Sequence, residues 1–315
     1  MNTYTAATKP TFHFIGVTTA KSSIMRVFPA WAKHLGLGDV IIKGVDLKLH
    51  DDVENYREVV NFIKNDAHSV GGLVTTHKID LLKACRDLFE ELDYYAQLTG
   101  EISCISKRDG KLRGHAKDPI SSGLSLAAFL PENHWQNSQA EALVLGAGGS
   151  SIALTTYMLD PKHGSNRPAR ILVTDRNIER LHEIEQIHHQ LTASAPVEYQ
   201  LAAQTTDNDR LLNTLPAGSL VVNATGLGKD APGSPLTRGA QFPQSGYAWE
   251  FNYRGNLVFL EQARAQAQTR QLHVEDGWLY FIHGWTRVIA EVFNVEIPTR
   301  GPHFERISEI AADLR

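Results

Sequence analysis

Along the first hundred positions, short β-branched runs alternate with stretches whose apolar residues recur at helical spacing. "FHFIGVTT" (12–19), "VIIKGVDL" (40–47) and "SVGGLVTT" (69–76) read as buried strands. Between the first two, "IMRVFPAWAKHLG" (24–36) reads as a helix closed by Gly36, with Pro29 implying a kink. In "DVENYREVVNFIKND", residues Val53, Tyr56, Val59, Val60 and Ile63 share one helical face, and "IDLLKACRDLFEEL" (79–92) continues the helical pattern. This alternation predicts an α/β fold with a parallel sheet covered by helices. "EISCISKRDGKLRG" (101–114) has the form of a hairpin with Asp109-Gly110 as its turn.

After "KDPISSGLSLAAFLP" a second alternating series begins. Its strands are "EALVLGAGG" (141–149), "ARILVTDR" (169–176), "VEYQLAA" (197–203), "SLVVNATG" (219–226), "YAWEFNY" (247–253) and "LHVED" (272–276). The change of series places a domain boundary near residue 120. One domain covers 1–120 and is completed by C-terminal helices over 278–315, including "LYFIHGWTRVIAEVFNV"; the other covers 121–277.

A chain of 315 residues is long enough for two such domains. Its net charge of −4, without a basic block, suggests neither nucleic acid nor a membrane surface as partner. The two cysteines, Cys85 and Cys104, have neither metal-site nor redox-motif spacing and read as small core residues. "MNTYTAATKPT" lacks the apolar core of a signal peptide, and no apolar run approaches a membrane span, so a cytoplasmic protein is expected. His182, His188 and His189 lie together in one helical stretch without an acidic or cysteine partner at ligand spacing, and no metal site is expected.

"LVLGAGGSS" sets Gly146, Gly148 and Gly149 directly after an apolar strand and before the helical "IALTTYML", with Ser150 and Ser151 next. Such a loop lets a pyrophosphate approach the backbone, and the helix start offers it free N–H groups. The third fingerprint position is Ser151 rather than glycine. At the end of the second strand, Asp175 suits the ribose hydroxyls of NAD, whereas Arg176 suits the 2′-phosphate of NADP; a solvated Asp–Arg pair is the bland alternative. "NATGLG" adds a small-residue loop at the fourth strand, where Asn223, Thr225 and Gly226 border the same crevice, with Asn223 and Thr225 lining the nicotinamide pocket.

These pieces, in this order, resemble the shikimate and quinate dehydrogenase family over nearly the whole chain. The resemblance implies an N-terminal α/β catalytic domain, a Rossmann NAD(P)-binding domain and a deep cleft between them. "GLVTTHK" matches the spacing of the family's "NVT-x-P-x-K" and implies Lys78 as a catalytic residue; "GHAKD" matches "G-x-N-T-D" and implies Asp118 as its partner. Hydride transfer to a ketone leaves negative charge on oxygen, and this pair would supply and recover the proton. The family's "N-R-T" loop falls on Asp175, Arg176 and Asn177, its "D-x-x-Y" tyrosine on Tyr253, and the glycine of its last helical segment on Gly277.

The family's substrate pocket is altered. Of the two serines in "H-S-x-S-P", Ser22 remains and Ile24 replaces the other; Ser103, Ala116 and Lys117 replace an asparagine, an asparagine and a threonine; Gly284, beside His283, replaces a glutamine. The implied substrate contacts are Ser22, Ser103, Tyr253, His283 and Glu101, although Glu101 also reads as a surface residue. His77 is expected to face solvent, and His115 is a further candidate contact. With fewer carboxylate contacts, the expected activity is NAD(P)H-dependent reduction of a small polyhydroxylated ketone, as in the family's keto-sugar members such as 5-ketofructose reductase. Shikimate or quinate dehydrogenation is the alternative, and a non-catalytic dinucleotide sensor is the alternative of another class. NADP(H) is favoured and NAD(H) remains open. A small-molecule substrate, no nucleic acid, no membrane, and a monomer or homodimer are expected.

Overall fold

The computed structural model describes residues 4–191, 195–229 and 231–315. It divides into two units, Met1–Lys117 with Ile282–Arg315, and Asp118–Phe281.

The first unit is built on a six-stranded sheet of β1 (Thr11–Gly16), β2 (Ile41–Asp46), β3 (Ser69–Val74), β4 (Glu91–Leu92), β5 (Cys104–Arg108) and β6 (Lys111–His115). Their order is β2-β1-β3-β5-β6-β4. β1 pairs in parallel with β2 and β3, β5 joins antiparallel to β3 and β6, and β4 pairs in parallel with β6, so the sheet is mixed rather than parallel. The hairpin turn is the one expected, with Asp109 and Gly110 both at positive φ.

Helix α1 (Ile24–His34) runs through Pro29, which lies on its exposed side. Helix α2 (Val53–Asn65) buries Tyr56, Val59, Val60 and Ile63, whereas Val53, in its first turn, is exposed. The helix expected over 79–92 is α3 (Lys78–Cys85) alone. Beyond it a 3₁₀ turn, Arg86–Leu88, carries the chain to a buried Phe89, to the short strand β4, and to α4 (Tyr94–Thr99). Asp93 caps α4, accepting the Ala96 N–H at 2.8 Å.

The second unit has six parallel strands, β7 (Ala142–Leu145), β8 (Ile171–Asp175), β9 (Val197–Leu201), β10 (Leu220–Asn223), β11 (Tyr247–Glu250) and β12 (His273–Glu275). Their order, β12-β11-β10-β7-β8-β9, is the doubly wound arrangement whose direction reverses between β7 and β10. Helices α5 (Asp118–Phe129), α6 (Gly149–Leu159), α7 (Ile178–His188), α8 (Thr205–Leu212) and α9 (Val258–Arg270) accompany it. α5 buries Ser121, Ser122, Gly123 and Ser125, and Gly123 lies where a Cβ would meet the Tyr157 ring of α6. Interdigitation of small residues lets these two helices approach closely.

The division between the units falls inside α10 (Trp278–Phe293). α11 (Pro302–Asp313), within the C-terminal helices expected over 278–315, follows it and buries Phe304, Ile307 and Ala311 in the first unit. Trp31 of α1 is fully buried and donates its indole N–H to the Ile307 carbonyl at 2.9 Å. Among the described residues, no helix is long and apolar enough to cross a membrane.

Trp31→Phe removes both ring volume and the donor that satisfies a buried carbonyl. The variant is expected to unfold at lower urea concentration, with a loss of about 1–3 kcal/mol. Hydrogen exchange should show the largest loss of protection in α11.

Candidate functional site

In the first unit, the turn after β3 sets Lys78. Thr75 donates its N–H to the Ile15 carbonyl at 2.9 Å, Thr76 takes a φ of +66°, and the His77 N–H returns to the Thr75 carbonyl at 2.7 Å. Lys78 is then the first residue of α3 and is half-buried. A β-branched residue at positive φ is a strained conformation. In the family's "NVT-x-P-x-K" stretch this position belongs to proline, which is locked at negative φ. The loop carrying Lys78 therefore follows a path that the family's own residue does not permit.

The same turn directs His77 inward, contrary to the expected solvent exposure. The ring is 1% exposed, and its Nδ1 lies 3.1 Å from the Tyr56 hydroxyl. That hydroxyl also accepts the Asp51 N–H at 3.2 Å. Burial pulls His77 below the ordinary histidine range.

The positions expected to contact substrate differ widely in exposure. Ser22 is half-buried after the 3₁₀ turn Thr19–Lys21, while Ile24 is fully buried at the head of α1. Glu101 is buried, which removes its surface reading. Ser103 is also buried, and its hydroxyl accepts the Lys117 N–H at 2.8 Å. His283 lies flat on Phe304 with ring centroids 4.5 Å apart, and burial lowers its pKa to about 4.

Sequence reasoning missed Asp93 and Glu291, which organise the segment ahead of Asp118. Asp93 accepts the Ala116 N–H at 3.2 Å, in addition to its helix cap. Lys117 reaches the Glu291 carboxylate at 2.9 Å and Asp93 at 3.9 Å. His115 bonds Ser106 at 2.9 Å, with its ring 3.7 Å from Asp93 and 3.6 Å from Glu291. Burial alone would raise both carboxyls, but His115, the backbone donors at Asp93 and the Lys117 ammonium hold them below their ordinary range. Asp118 follows directly as the first residue of α5 and of the second unit, and is half-buried.

In the second unit, β7 ends in the glycine loop. Gly146 has a φ of +101°, and a Cβ there would lie 3.1 Å from the Ala224 carbonyl and the Thr225 methyl. Gly148, the N-cap of α6, has open space where its Cβ would point. Gly149 and Ser150 open α6, and the buried Ser151 hydroxyl donates to the Gly146 carbonyl. Serine at the third fingerprint position thus braces the loop from within. The free amides at the head of α6 and the open space beside Gly148 fit a dinucleotide pyrophosphate.

Asp175, at the tip of β8, turns back on this loop. One carboxylate oxygen accepts the Ala147 N–H at 2.8 Å and the other the Asn177 N–H at 2.9 Å. Asn177 caps α7 by accepting the Glu179 N–H at 2.9 Å, and Arg176 between them is exposed.

Beyond the switch point, Asn223 is fully buried rather than lining a pocket. Its amide donates to Glu250 at 2.6 Å, and its carbonyl accepts the Thr225 N–H at 3.1 Å and hydroxyl at 2.6 Å. Glu250 is also fully buried and accepts the Asn252 backbone N–H at 2.8 Å and side-chain amide at 2.7 Å. That amide also donates to the Thr225 carbonyl at 3.1 Å, which closes a ring. Burial outweighs these bonds and pushes Glu250 up to about 7. Gly277 donates to the Asn252 carbonyl, and a Cβ on it would strike the Phe251 carbonyl. Half-buried Tyr253 packs on Trp278 and Phe281, while Gly226 is exposed. An acid inside the apolar run "YAWEF" was the available signal for Glu250.

By class, this is a two-domain α/β protein whose second domain has the Rossmann dinucleotide-binding topology. No family model matches the chain. It is similar to the NADP(+) shikimate dehydrogenases of Lactococcus lactis subsp. cremoris, at 29% identity over 182 residues, and Streptococcus thermophilus, at 27% over 176. Those matches cover 57% and 54% of this chain and 60% and 56% of the relatives, so the chain matches less than two thirds of their length. Among solved structures it resembles shikimate dehydrogenase from Aquifex aeolicus, with a TM-score of 0.73 at 16% identity, covering 98% of this chain and 99% of that one. It also resembles quinate dehydrogenase from Corynebacterium glutamicum in complex with NAD (TM-score 0.73, 17% identity, 97% and 99% covered). The 5-ketofructose reductase of Gluconobacter sp. strain CHM43 is similar as well (TM-score 0.69, 16% identity, 98% and 99% covered). Together these likenesses show a shared fold, and the sequence similarity to shikimate dehydrogenases extends over a little more than half of this chain.

Because Glu291 is held below its ordinary range, it contributes stability above the unfolded carboxyl pKa and loses it as pH falls through the folded value. Wild-type protein should therefore lose stability more steeply than Glu291→Gln between about pH 5 and pH 3 in urea titrations. At neutral pH the variant should be about 1–3 kcal/mol less stable, because Lys117 loses its nearer carboxylate.

Proposed function

We propose that the chain is an NAD(P)H-dependent oxidoreductase that reduces a small polyhydroxylated ketone, a keto-sugar such as 5-ketofructose. The first unit, with its C-terminal helices, takes the substrate and the second takes the dinucleotide. The cofactor reading is carried by the glycine loop: Gly146 is left-handed, the Gly148 side is open, and Asp175 holds the Ala147 N–H. Gly146, Gly148, Gly149 and Ser150 would cradle the pyrophosphate; Asp175, Arg176 and Asn177 would face the adenosine ribose; Thr225, Gly226 and Gly277 would border the nicotinamide. A bound reduced nicotinamide supplies the hydride.

The protein's own part is the proton. The Lys78 ammonium would hold a proton at Nζ for the oxygen that becomes an alcohol, and the Asp118 carboxylate would orient and recharge it. The substrate class is supported by the positions where the family places polar contacts. Ile24 and Ala116 are fully buried and apolar, and Lys117 is drawn into Glu291 and Asp93. A ring carboxylate would meet few donors there, whereas a neutral polyol loses less by their absence. Ser22, Glu101, Tyr253 and His283 would remain as contacts.

Dehydrogenation of shikimate or quinate is the second reading, favoured by the curated relatives, which bear the name shikimate dehydrogenase. An NADPH-oxidation screen over keto-sugars, dehydroshikimate and dehydroquinate separates the two. Turnover of a neutral keto-sugar is expected, and faster turnover of either carboxylate overturns the substrate assignment. Dinucleotide binding without any turnover would favour a sensor.

Lys78→Met should lower kcat by about three powers of ten while dinucleotide affinity changes less than about twofold. An unchanged kcat removes Lys78 from the chemistry. Arg176→Ala should raise KM for NADPH by about tenfold or more and leave that for NADH nearly unchanged, because only NADPH carries the 2′-phosphate. Equal effects on both cofactors would assign Arg176 to another role.

A further inference from the structure

We infer that Glu250 is a proton-sensitive positioning residue. When ionised, it closes the ring through Asn223, Thr225 and Asn252 and keeps the Thr225 loop against the glycine loop; when protonated, it opens that ring and weakens dinucleotide binding. The inference rests on the dinucleotide reading of the crevice and adds a control on it.

The hydrogen-bond inventory of the ring carries the argument. Every group facing the Glu250 carboxylate is a donor: the Asn223 amide, the Asn252 backbone N–H and the Asn252 amide. The amide oxygen of Asn223 is already filled by two donors from Thr225. A carboxyl proton added at Glu250 takes the site on Oε2 that Asn223 leaves open, meets no acceptor among the groups facing it, and removes the charge that strengthens all three bonds.

The ring also has leverage on the site. Asn252 holds the Thr225 carbonyl, Asn223 holds the Thr225 N–H and hydroxyl, and Thr225 with Ala224 stands against Gly146. Gly277 is tied to the Asn252 carbonyl on the other side. Opening the ring thus frees the ends of β10 and β11 together, beside the loop on which a pyrophosphate would rest. The charged group acting on Glu250 is Lys229, from the segment after β10, and it favours the ionised form. Burial opposes it and brings the proton's arrival close to neutral pH.

The test is NADPH binding, followed by tryptophan fluorescence, for wild type and Glu250→Gln between about pH 5.5 and pH 8.5. The ratio of the two dissociation constants cancels the titration of the cofactor's own phosphate. Glutamine places an amide donor against the donors of the ring, so the variant mimics the opened state at every pH. The ratio is expected to rise from within about twofold at the acid end to roughly tenfold or more at the alkaline end. A ratio that stays constant across the range overturns the inference.

Wild-type protein provides a second arm that needs no variant. Amide exchange of residues 224–227, corrected for intrinsic rates, should be less protected at about pH 6 than at about pH 8. Equal protection overturns the latch. If NADPH fails to bind at any pH, the dinucleotide reading falls, while the exchange arm still decides whether the ring opens.

Discussion

Glu250 is removed from water at the end of β11, and a charge so placed persists only where donors replace the solvent it lost. Asn223 and Asn252 are those donors, and in providing them they bind the ends of two neighbouring strands to each other. The same requirement recurs at Asp175, which gathers the glycine loop and the start of α7. It recurs again at Asp93 and Glu291, which gather Ala116 and Lys117 ahead of Asp118. Each carboxylate converts an irregular loop, which has no ladder to hold it, into a segment with a defined path. The loops to which this chain's chemistry is assigned are the ones fixed in this way.

Apart from β4, which falls in a stretch that reads as helix, the strands of both sheets were legible because β-branched runs bounded by glycine and polar residues leave few other conformations open. The hairpin was legible from Asp109-Gly110 alone. The mixed character of the first sheet was not: whether a hairpin adds to a parallel set or stands apart depends on non-local pairing. α5 was hidden by its composition. Its buried residues are Pro119, Ser121, Ser122, Gly123, Ser125 and Leu126, so most of the period that reveals a helix is written in residues that do not register as apolar. α11 did carry readable signals, with Pro302 at its first position and Phe304, Ile307 and Ala311 on one face.

Among the candidate site residues, the glycine loop and the placement of Asp175 at a strand tip were legible because they follow from backbone geometry. Histidine burial was not. His77 and His283 each adjoin a position of interest, and both are packed inside, against Tyr56 and Phe304 respectively. A histidine's side of the chain depends on the turn before it, and the turn at Thr76 is an unusual one. Asn223, expected at a pocket wall, is fully buried and bonded to Glu250 and Thr225.

That left-handed threonine has an evolutionary reading. Proline cannot occupy the position without rebuilding the turn, and rebuilding the turn would dislodge His77 from its place beneath Tyr56. Proline is thus barred here as a single substitution: it can arrive only together with changes that rebuild the turn and reseat His77.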